Sequence, residues 1–503
     1  MNIHLSTLSP DFERIVGEAI QAHQPVADTG VAVAVLRKGQ LAYAGGFGFR
    51  GLTTQEPVDV HTLFPIGSAT KAFTSTVLSI FAAEGAFSLD EPICQIVPSF
   101  KMADKKASRE ATLIDILSQN TGLAPHNSLW YLGPFTRAQL FYRLRYLEPA
   151  AAFRTQYIYN NLMYMVAGHV LEIKLGLSYE KIIQTRILDP LGMTETNLSF
   201  NELENGPNHV SGCKGRDPLA FKDFFNIGPA AEINSTALDM AKWVELFLRK
   251  GVTGNGKVVL DEDALARTYH PFTNPGDGTR YGLGWNVGHA AITAGSDAKQ
   301  KRLIFHTGDP QGGSAYVSFM PDDGLGVVVL TNQHCTAELI DTWPDKVATD
   351  IYDHLLHDGL SRQLKLPTCC APGGALSVVS VQPAPPPAPA RKSKAKAAAS
   401  AAKAAFPALA PAASQDYTGM FSNPGYGDFV VSRSGDCLFI SYYGSSWPLE
   451  QFGDTTFLFT VPAFGASFPV LVEYSRDAGG AITGFSAQLV LQPRLMMIPF
   501  TKR

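Results

Sequence analysis

From Ala371 to Ser414 the chain reads APGGALSVVSVQPAPPPAPARKSKAKAAASAAKAAFPALAPAAS, and no packed core can be built from that stretch. Its proline run is expected to be extended and semi-rigid. The alanine- and lysine-rich run from Lys394 to Ala405 has the composition of a helix, alanine being the best helix former. A chain interrupted in this way folds in pieces. The 503 residues divide into a large segment, 1–368, a linker, 369–414, and a small segment, 415–503. That length suits two or three domains rather than one core.

The large segment opens with strands. GVAVAVLRKGQLAYAGGFGFRG (Gly30 to Gly51) reads as two strands joined by a tight turn at Lys38-Gly39. From Ser68 to Glu84 the pattern is helical, with Ala72, Phe73, Val77, Ile80 and Phe81 recurring at three and four residues and Gly85 placed as the stop. Residues from about 110 to 250 carry helical periodicity, in NLMYMVAGHVLEIKLG and STALDMAKWVELFLRKG among others. From about 280 strands return in YGLGWNV, KRLIFHTG and SAYVSFMPDDGLGVVVLTN, with Pro321-Asp322-Asp323-Gly324 as a turn, and WPDKVATDIYDHLLHDGL is a last helix. A sheet whose two ends come from distant parts of the chain, with helices packed around it, accounts for this order. The small segment holds seven or eight short strands, the pattern of an antiparallel barrel or sandwich.

Composition narrows the partners. Hydrophobic residues make up 45% and the net charge is −4, so nothing marks nucleic acid or an acidic membrane surface as a partner. No window reaches the roughly 18 apolar residues that cross a bilayer. The first twenty residues lack a basic segment followed by an apolar run, so no signal peptide is read there. Cys94, Cys213, Cys335, Cys369, Cys370 and Cys437 fit neither a zinc-site spacing nor a disulfide framework in so long a chain. Reduced thiols in a cytoplasmic protein are the expectation.

Chemistry is most readable in PIGSATKAFTS, Pro65 to Ser75, where Lys71 follows Ser68 by three residues. Ser-x-x-Lys occurs six times, starting at Ser68, Ser178, Ser211, Ser296, Ser393 and Ser400, so spacing alone selects none. Only Ser68 opens an apolar helix. Residues three apart on a helix share a face, so Lys71 can reach the Ser68 hydroxyl. Unpaired N–H groups and the dipole at a helix start favour a developing alkoxide. A lysine acts as base only when neutral, which desolvation promotes. The competing reading is Ser68 as a helix cap and Lys71 as a solvated first-turn lysine.

Two further segments add to the first. Tyr159-Asn160-Asn161 leads into a helix, and its tyrosine can relay a proton while an asparagine holds a substrate amide. His306-Thr307-Gly308 ends a strand, whose edge can pair with a peptide-like substrate while a backbone N–H completes an oxyanion hole.

Ser68-x-x-Lys71, Tyr159-x-Asn161 and His306-x-Gly308, in that order, resemble the serine β-lactamase and penicillin-binding-protein superfamily, whose class A members carry Ser-x-x-Lys, Ser-Asp-Asn and Lys-Thr-Gly. The tyrosine version is similar to class C β-lactamases, esterases of that fold and D-aminopeptidases. The likeness covers about Phe12 to Gly359 and includes the framing segments LSQNTGL, ILDPLGMTET, AAEINSTALDMAKWVELF and RYGLGWNV. The small segment resembles the lipocalin-like barrel appended to some peptidases of this superfamily. These resemblances imply an α+β fold: an antiparallel sheet flanked by helices with an inserted all-helical region, plus a small C-terminal antiparallel β-barrel.

They also imply roles. Ser68 attacks a carbonyl and becomes acylated; Lys71 and Tyr159 share the handling of its proton. Asn161 binds the acyl-side amide, His306 and Thr307 line the substrate, and the N–H groups of Ser68 and Asp309, after Gly308, bind the oxyanion. No metal or organic cofactor is required, and a small molecule or short peptide is the expected substrate. β-Lactamases place a lasting lysine cation where this chain has His306, and a histidine near pKa 6.5 is mostly neutral at pH 7, so weak β-lactamase activity is expected. His306 either binds a substrate carboxylate when charged or supports Tyr159 when neutral. The Asp309 carboxylate either repels anionic substrates or points away. The other histidines, His126 and His334 included, sit in no motif. Three functions fit: a peptidase or amidase on short or D-residue-containing peptides, an esterase or transacylase, and a non-catalytic scaffold. The long linker permits, without requiring, a homo-oligomer.

Overall fold

The continuous apolar run Val31–Leu36 becomes a strand buried on both faces. Val31–Arg37 (β1) turns back at Lys38-Gly39 into Gln40–Phe47 (β2), and both turn residues have positive φ, +53° and +68°. That is the mirror-image turn whose twist matches a two-stranded ribbon. The chain returns to the same sheet about 230 residues later through Arg280–Tyr281 (β3), Asn286–Ile292 (β4), Lys299–Gly308 (β5), Ser314–Met320 (β6), Leu325–Thr331 (β7) and Leu364–Lys365 (β8). The sheet is antiparallel with the order β8-β4-β5-β6-β7-β1-β2, β3 pairing with β4, and β7 lies on β1 with Val31 opposite Thr331. The expected sheet with both chain ends in it is therefore present. The computed structural model describes residues 10–292, 299–334, 343–357, 364–365, 416–451, 453–463, 466–490 and 495–503. The linker with its expected helix at Lys394–Ala405, and Cys335, Cys369 and Cys370, lie outside the described residues.

Contacts divide the chain into two units, one of Met1–Pro125 and Phe135–Ala375, the other of His126–Pro134 and Leu376–Arg503. In the first, Val31, Val33 and Val35 point to one face of the sheet, where they meet Val16 and Ile20 of Pro10–His23 (α1) and Val347 and Ile351 of Trp343–His357 (α7). The opposite face packs on Ala237–Leu248 (α6), so closely that a Cβ on Gly326 would come 2.6 Å from Val244. Between the two sheet halves the chain supplies the helical block, including Thr70–Ala83 (α2), Asn161–Leu175 (α3), Tyr179–Ile183 (α4) and Gly228–Ala231 (α5). Helix α2 is buried from Thr70 to Phe81. Its polar residues, Thr70, Lys71, Thr74, Ser75, Thr76 and Ser79, are buried together with the apolar ones, so it is an interior helix.

The second unit contains eight consecutive strands, from Gly419–Asn423 to Met496–Lys502, each antiparallel to the next. The first also pairs with the last, Phe421 opposite Lys502, which closes a barrel and removes both edges. Phe429 and Val431 are buried while Val430 and Ser432 are exposed, the period of two expected of a barrel wall. Rings meet inside it, Phe429 stacked on Tyr442 with centroids 4.4 Å apart and Phe421 at 4.7 Å from Phe485. Among the described residues of the whole chain, no helix is long and apolar enough to cross a membrane.

Candidate active site

Ser68 does not sit on the α-helix expected from Ser68 to Glu84. It is the middle residue of a 3-10 turn, Gly67–Ala69, that feeds into α2 at Thr70. The turn begins with Gly67 at φ +50°, a conformation glycine adopts without strain. A Cβ there would lie 2.8 Å from Pro310 and 3.1 Å from the Asp309 nitrogen. Gly67 thus lets the residues after β5 close against the start of the turn. Gly308 does the same from the other side, its virtual Cβ falling 1.8 Å from the Ile66 carbonyl.

Lys71 is fully buried. Its Nζ lies 2.9 Å from Ser68 Oγ, 2.7 Å from Asn161 Oδ1 and 3.1 Å from the Ala230 carbonyl. Burial holds its pKa well below that of an ordinary lysine. The amide and backbone oxygens are acceptors only, so they take two N–H groups. A neutral amine then has its lone pair left for the serine, which can donate. The Tyr159 hydroxyl donates to Ser68 Oγ at 2.8 Å, and Nζ stands 4.6 Å from the Tyr159 ring centre. Ser68 itself is half-buried.

Tyr159 and Asn161 are aimed by the residue between them. Asn160 caps α3, its side chain accepting from Leu162 N–H at 2.9 Å and donating to the carbonyls of Leu123 and Ala124. Its own N–H donates to Gln119 Oε1. A polar residue before an apolar helix is a legible cap, yet the sequence reading assigned Asn160 no part.

His306, Thr307 and Gly308 end β5. They pair with β6, His306 opposite Val317 and Gly308 opposite Ala315. The ladder with β4 stops at Phe305 opposite Asn286, so among the described residues the last three carry no β4 partner. Of these three residues Thr307 is half-buried, while His306 and Gly308 are buried. His306 is 2% exposed. Its Nδ1–H donates to the Thr307 carbonyl at 2.6 Å, which leaves Nε2 to accept from the Tyr281 hydroxyl at 3.2 Å. Burial, and then the charge of Lys71 whenever it is protonated, push its pKa down to about 3. His306 is thus held by Thr307 and Tyr281, and its ring centre is 6.5 Å from that of Tyr159.

Asp309 is 39% exposed at its side chain, and its Oδ1 lies 3.1 Å from Nδ1 of buried His334. His334, read as belonging to no motif, is therefore a neighbour of the site. The sequence reading also missed Ala230, Tyr281 and Glu232. Among the described residues no three His, Cys, Asp or Glu side chains gather as a metal site would need.

The model of the Beta-lactamase family matches residues 21–347, and one described as a domain of unknown function (DUF3471) matches residues 404–502. An unguisins hydrolase, ungD, of Aspergillus violaceofuscus is 29% identical over 367 residues, which cover 66% of this chain and 62% of that protein. Among solved structures, the octameric penicillin-binding protein homologue from Pyrococcus abyssi aligns over 98% of this chain and 99% of its own, with a TM-score of 0.56 and 19% identity. A class C beta lactamase from Rhodobacter sphaeroides aligns over 69% of this chain and 100% of its own, with a TM-score of 0.56 and 23% identity.

Proposed function

Because the chain belongs to the Beta-lactamase family, we propose that it is a serine hydrolase that works through an acyl-enzyme on small amides, short or D-residue-containing peptides in particular. The observation that carries this reading is the contact of Ser68 Oγ with both the buried amine of Lys71, at 2.9 Å, and the hydroxyl of Tyr159, at 2.8 Å.

The proton path follows from those contacts. Ser68 Oγ attacks the carbonyl carbon while its proton passes to the neutral Nζ of Lys71. The N–H groups of Ser68 and Asp309 receive the oxyanion. When the C–N bond breaks, Tyr159 gives its proton to the leaving nitrogen and regains one from the Lys71 ammonium, both groups lying against Ser68 Oγ. Water then attacks the acyl ester, its proton returns through the same pair, and the Ser68 hydroxyl is restored. Asn161 spends its oxygen on Lys71 and keeps its amide N–H groups for the substrate. The end of β5 at His306–Gly308, which has no β4 partner among the described residues and where Thr307 is half-buried, supports a backbone-paired, peptide-like substrate. A neutral His306 offers no lasting cation to a penicillin carboxylate, which favours peptides over β-lactams.

Acid-quenched intact-mass spectrometry tests the proposal. Wild type and Ser68→Ala are each incubated with a penicillin, a p-nitrophenyl ester and short D- and L-peptides. An adduct of one acyl fragment from a peptide, seen in wild type and absent from Ser68→Ala, is the expected result. Lys181→Ala, which removes the lysine of a different Ser-x-x-Lys pair, should acylate like wild type. An adduct from the ester alone moves the function to an esterase or transacylase. Turnover by a folded Ser68→Ala protein removes the nucleophile assignment, and neither adduct nor turnover with any compound favours the scaffold reading.

A further inference from the structure

Three polar side chains of the buried helix α2 grip one strip of backbone. Thr74 Oγ1 donates to the Pro229 carbonyl at 2.6 Å, Lys71 Nζ reaches the Ala230 carbonyl at 3.1 Å, and Thr70 Oγ1 accepts from Ile233 N–H at 3.1 Å. The position of that strip therefore decides where the Lys71 amine has its acceptor. Its far side is held by two residues. Arg137 Nε donates to the Phe225 carbonyl at 3.0 Å, and the guanidinium lies 4.5 Å from the Phe225 ring centre. Glu232, 6% exposed, accepts from Phe224 N–H through Oε2 at 2.9 Å and so closes the chain from Phe224 to Glu232 into a loop.

The charge of Arg137 is already answered by Glu172, at 2.7 Å, and by Glu180. Among the described residues Glu232 is thus a buried carboxyl group without an ion-pair partner of its own. We propose that Glu232 is a positioning residue for Lys71: its carboxyl group ties Phe224 to the end of α5 and thereby fixes the Ala230 carbonyl against Nζ. The inference rests on the reading of Lys71 as the base of Ser68.

The charged groups facing Glu232 are Asp223, Arg137 and Glu180. Burial first, then Asp223, push its pKa up to about 8, Glu180 adding to the rise and Arg137 opposing it. At neutral pH the group is therefore mostly uncharged, the form a buried site tolerates. Above about 8 it becomes an anion with a backbone N–H for company, and the loop that presents Ala230 must loosen.

The test is the second-order rate at which a fluorophosphonate labels Ser68 in the full chain, from pH 6 to 10, for wild type, Glu232→Ala and Glu232→Gln. In labelling, Ser68 Oγ bonds to phosphorus, fluoride leaves, and the serine proton goes to Lys71, so the rate reports the base without needing the natural substrate. Glu232→Ala should label about tenfold more slowly or worse at pH 7, the effect of about 1.4 kcal/mol on a barrier. Glu232→Gln keeps an oxygen for Phe224 N–H and cannot ionise. It should restore the rate to within about threefold of wild type, under 1 kcal/mol. The ratio of wild-type to Glu232→Gln rates should then fall as pH passes about 8. A flat ratio across that range overturns the inference even if Glu232→Ala fails to fold, as does a folded Glu232→Ala labelling at the wild-type rate. Wild type left unlabelled at Ser68 overturns the Ser68–Lys71 reading itself, and this inference with it.

Discussion

Replacing His306 with glutamine should make the first unit less sensitive to acid, by an amount that can be worked out beforehand. In the folded protein the imidazole has a pKa of about 3; in the unfolded chain it takes the ordinary value of about 6.5. Between those values the unfolded chain binds a proton that the folded one refuses. Stability from this group is therefore complete above about pH 6.5 and is lost as pH falls toward 3. At about 1.36 kcal/mol per pH unit, the two units between 6.5 and 4.5 remove about 3 kcal/mol. Glutamine does not titrate, so the variant lacks that loss, although it gives up ring packing against Tyr159 and Tyr281 worth about 1–2 kcal/mol at every pH. The assay is urea unfolding of both proteins at pH 7 and pH 4.5, followed by the fluorescence of Trp243 and Trp285, which are buried in the same unit. Asp59 and Glu172, whose pKa values are also lowered, weaken the fold in acid too, but they do so in both proteins. The difference of differences isolates His306. Wild type should lose about 3 kcal/mol more than the variant. Equal acid losses would refute a buried, neutral His306, and with it the argument against penicillin binding.

Two further outcomes follow from the backbone around Ser68. Gly67→Ala puts a side chain at φ +50° and 2.8 Å from Pro310; it should cost at least about 1–2 kcal/mol in calorimetry and slow acylation about 100-fold by displacing Ser68. A wild-type acylation rate in that variant would mean the turn tolerates the shift. Asn160→Ala removes the α3 cap, worth about 1 kcal/mol of stability, and should lower the acylation rate as well, since Tyr159 and Asn161 flank it. Loss of stability with an unchanged rate would show that neither residue depends on the cap for its aim.

What could be read beforehand was what side chains advertise. The apolar run Val31–Leu36, the turn at Lys38-Gly39 and the spacing of strands after residue 415 carry the sheet and the barrel, because burial dictates where apolar residues fall in the sequence. Ser68, Lys71, Tyr159 and Asn161 were legible as ordered motifs, and the structure brings their polar atoms within hydrogen-bond distance of one another. The parts that stayed hidden have no side-chain signature. The Ala230 carbonyl against Lys71 is backbone, which any residue could supply. Glu232 lies in AAEIN, where one acidic residue looks like a solvated one until its burial is known. Asp309 and His334 meet only because β5 and the chain after β7 lie close in space, a distance sequence separation does not encode.

Ser178 shows what a Ser-x-x-Lys pair is when nothing else is arranged for it. Ser178 caps α4, its Oγ accepting from the Lys181 backbone N–H at 3.2 Å, and the Lys181 side chain is exposed. That is the bland reading weighed for Ser68. Ser68 lies inside its 3-10 turn rather than at a cap position; the hydroxyl faces Nζ and the Tyr159 oxygen instead. The two sites share their spacing and differ in surroundings. A lysine in water stays charged near pH 7 and cannot take a serine proton, whereas one enclosed by α2, α3 and α5 is pushed toward the neutral form. Enclosure requires backbones to approach closely: a Cβ on Gly284 would come 2.8 Å from the Lys71 carbonyl. The helix start contributes its dipole in both places, so the dipole cannot be what separates them. Burial of the amine is the physical difference, and a solvated Lys71 would reduce Ser68 to the ordinary serine that Ser178 is.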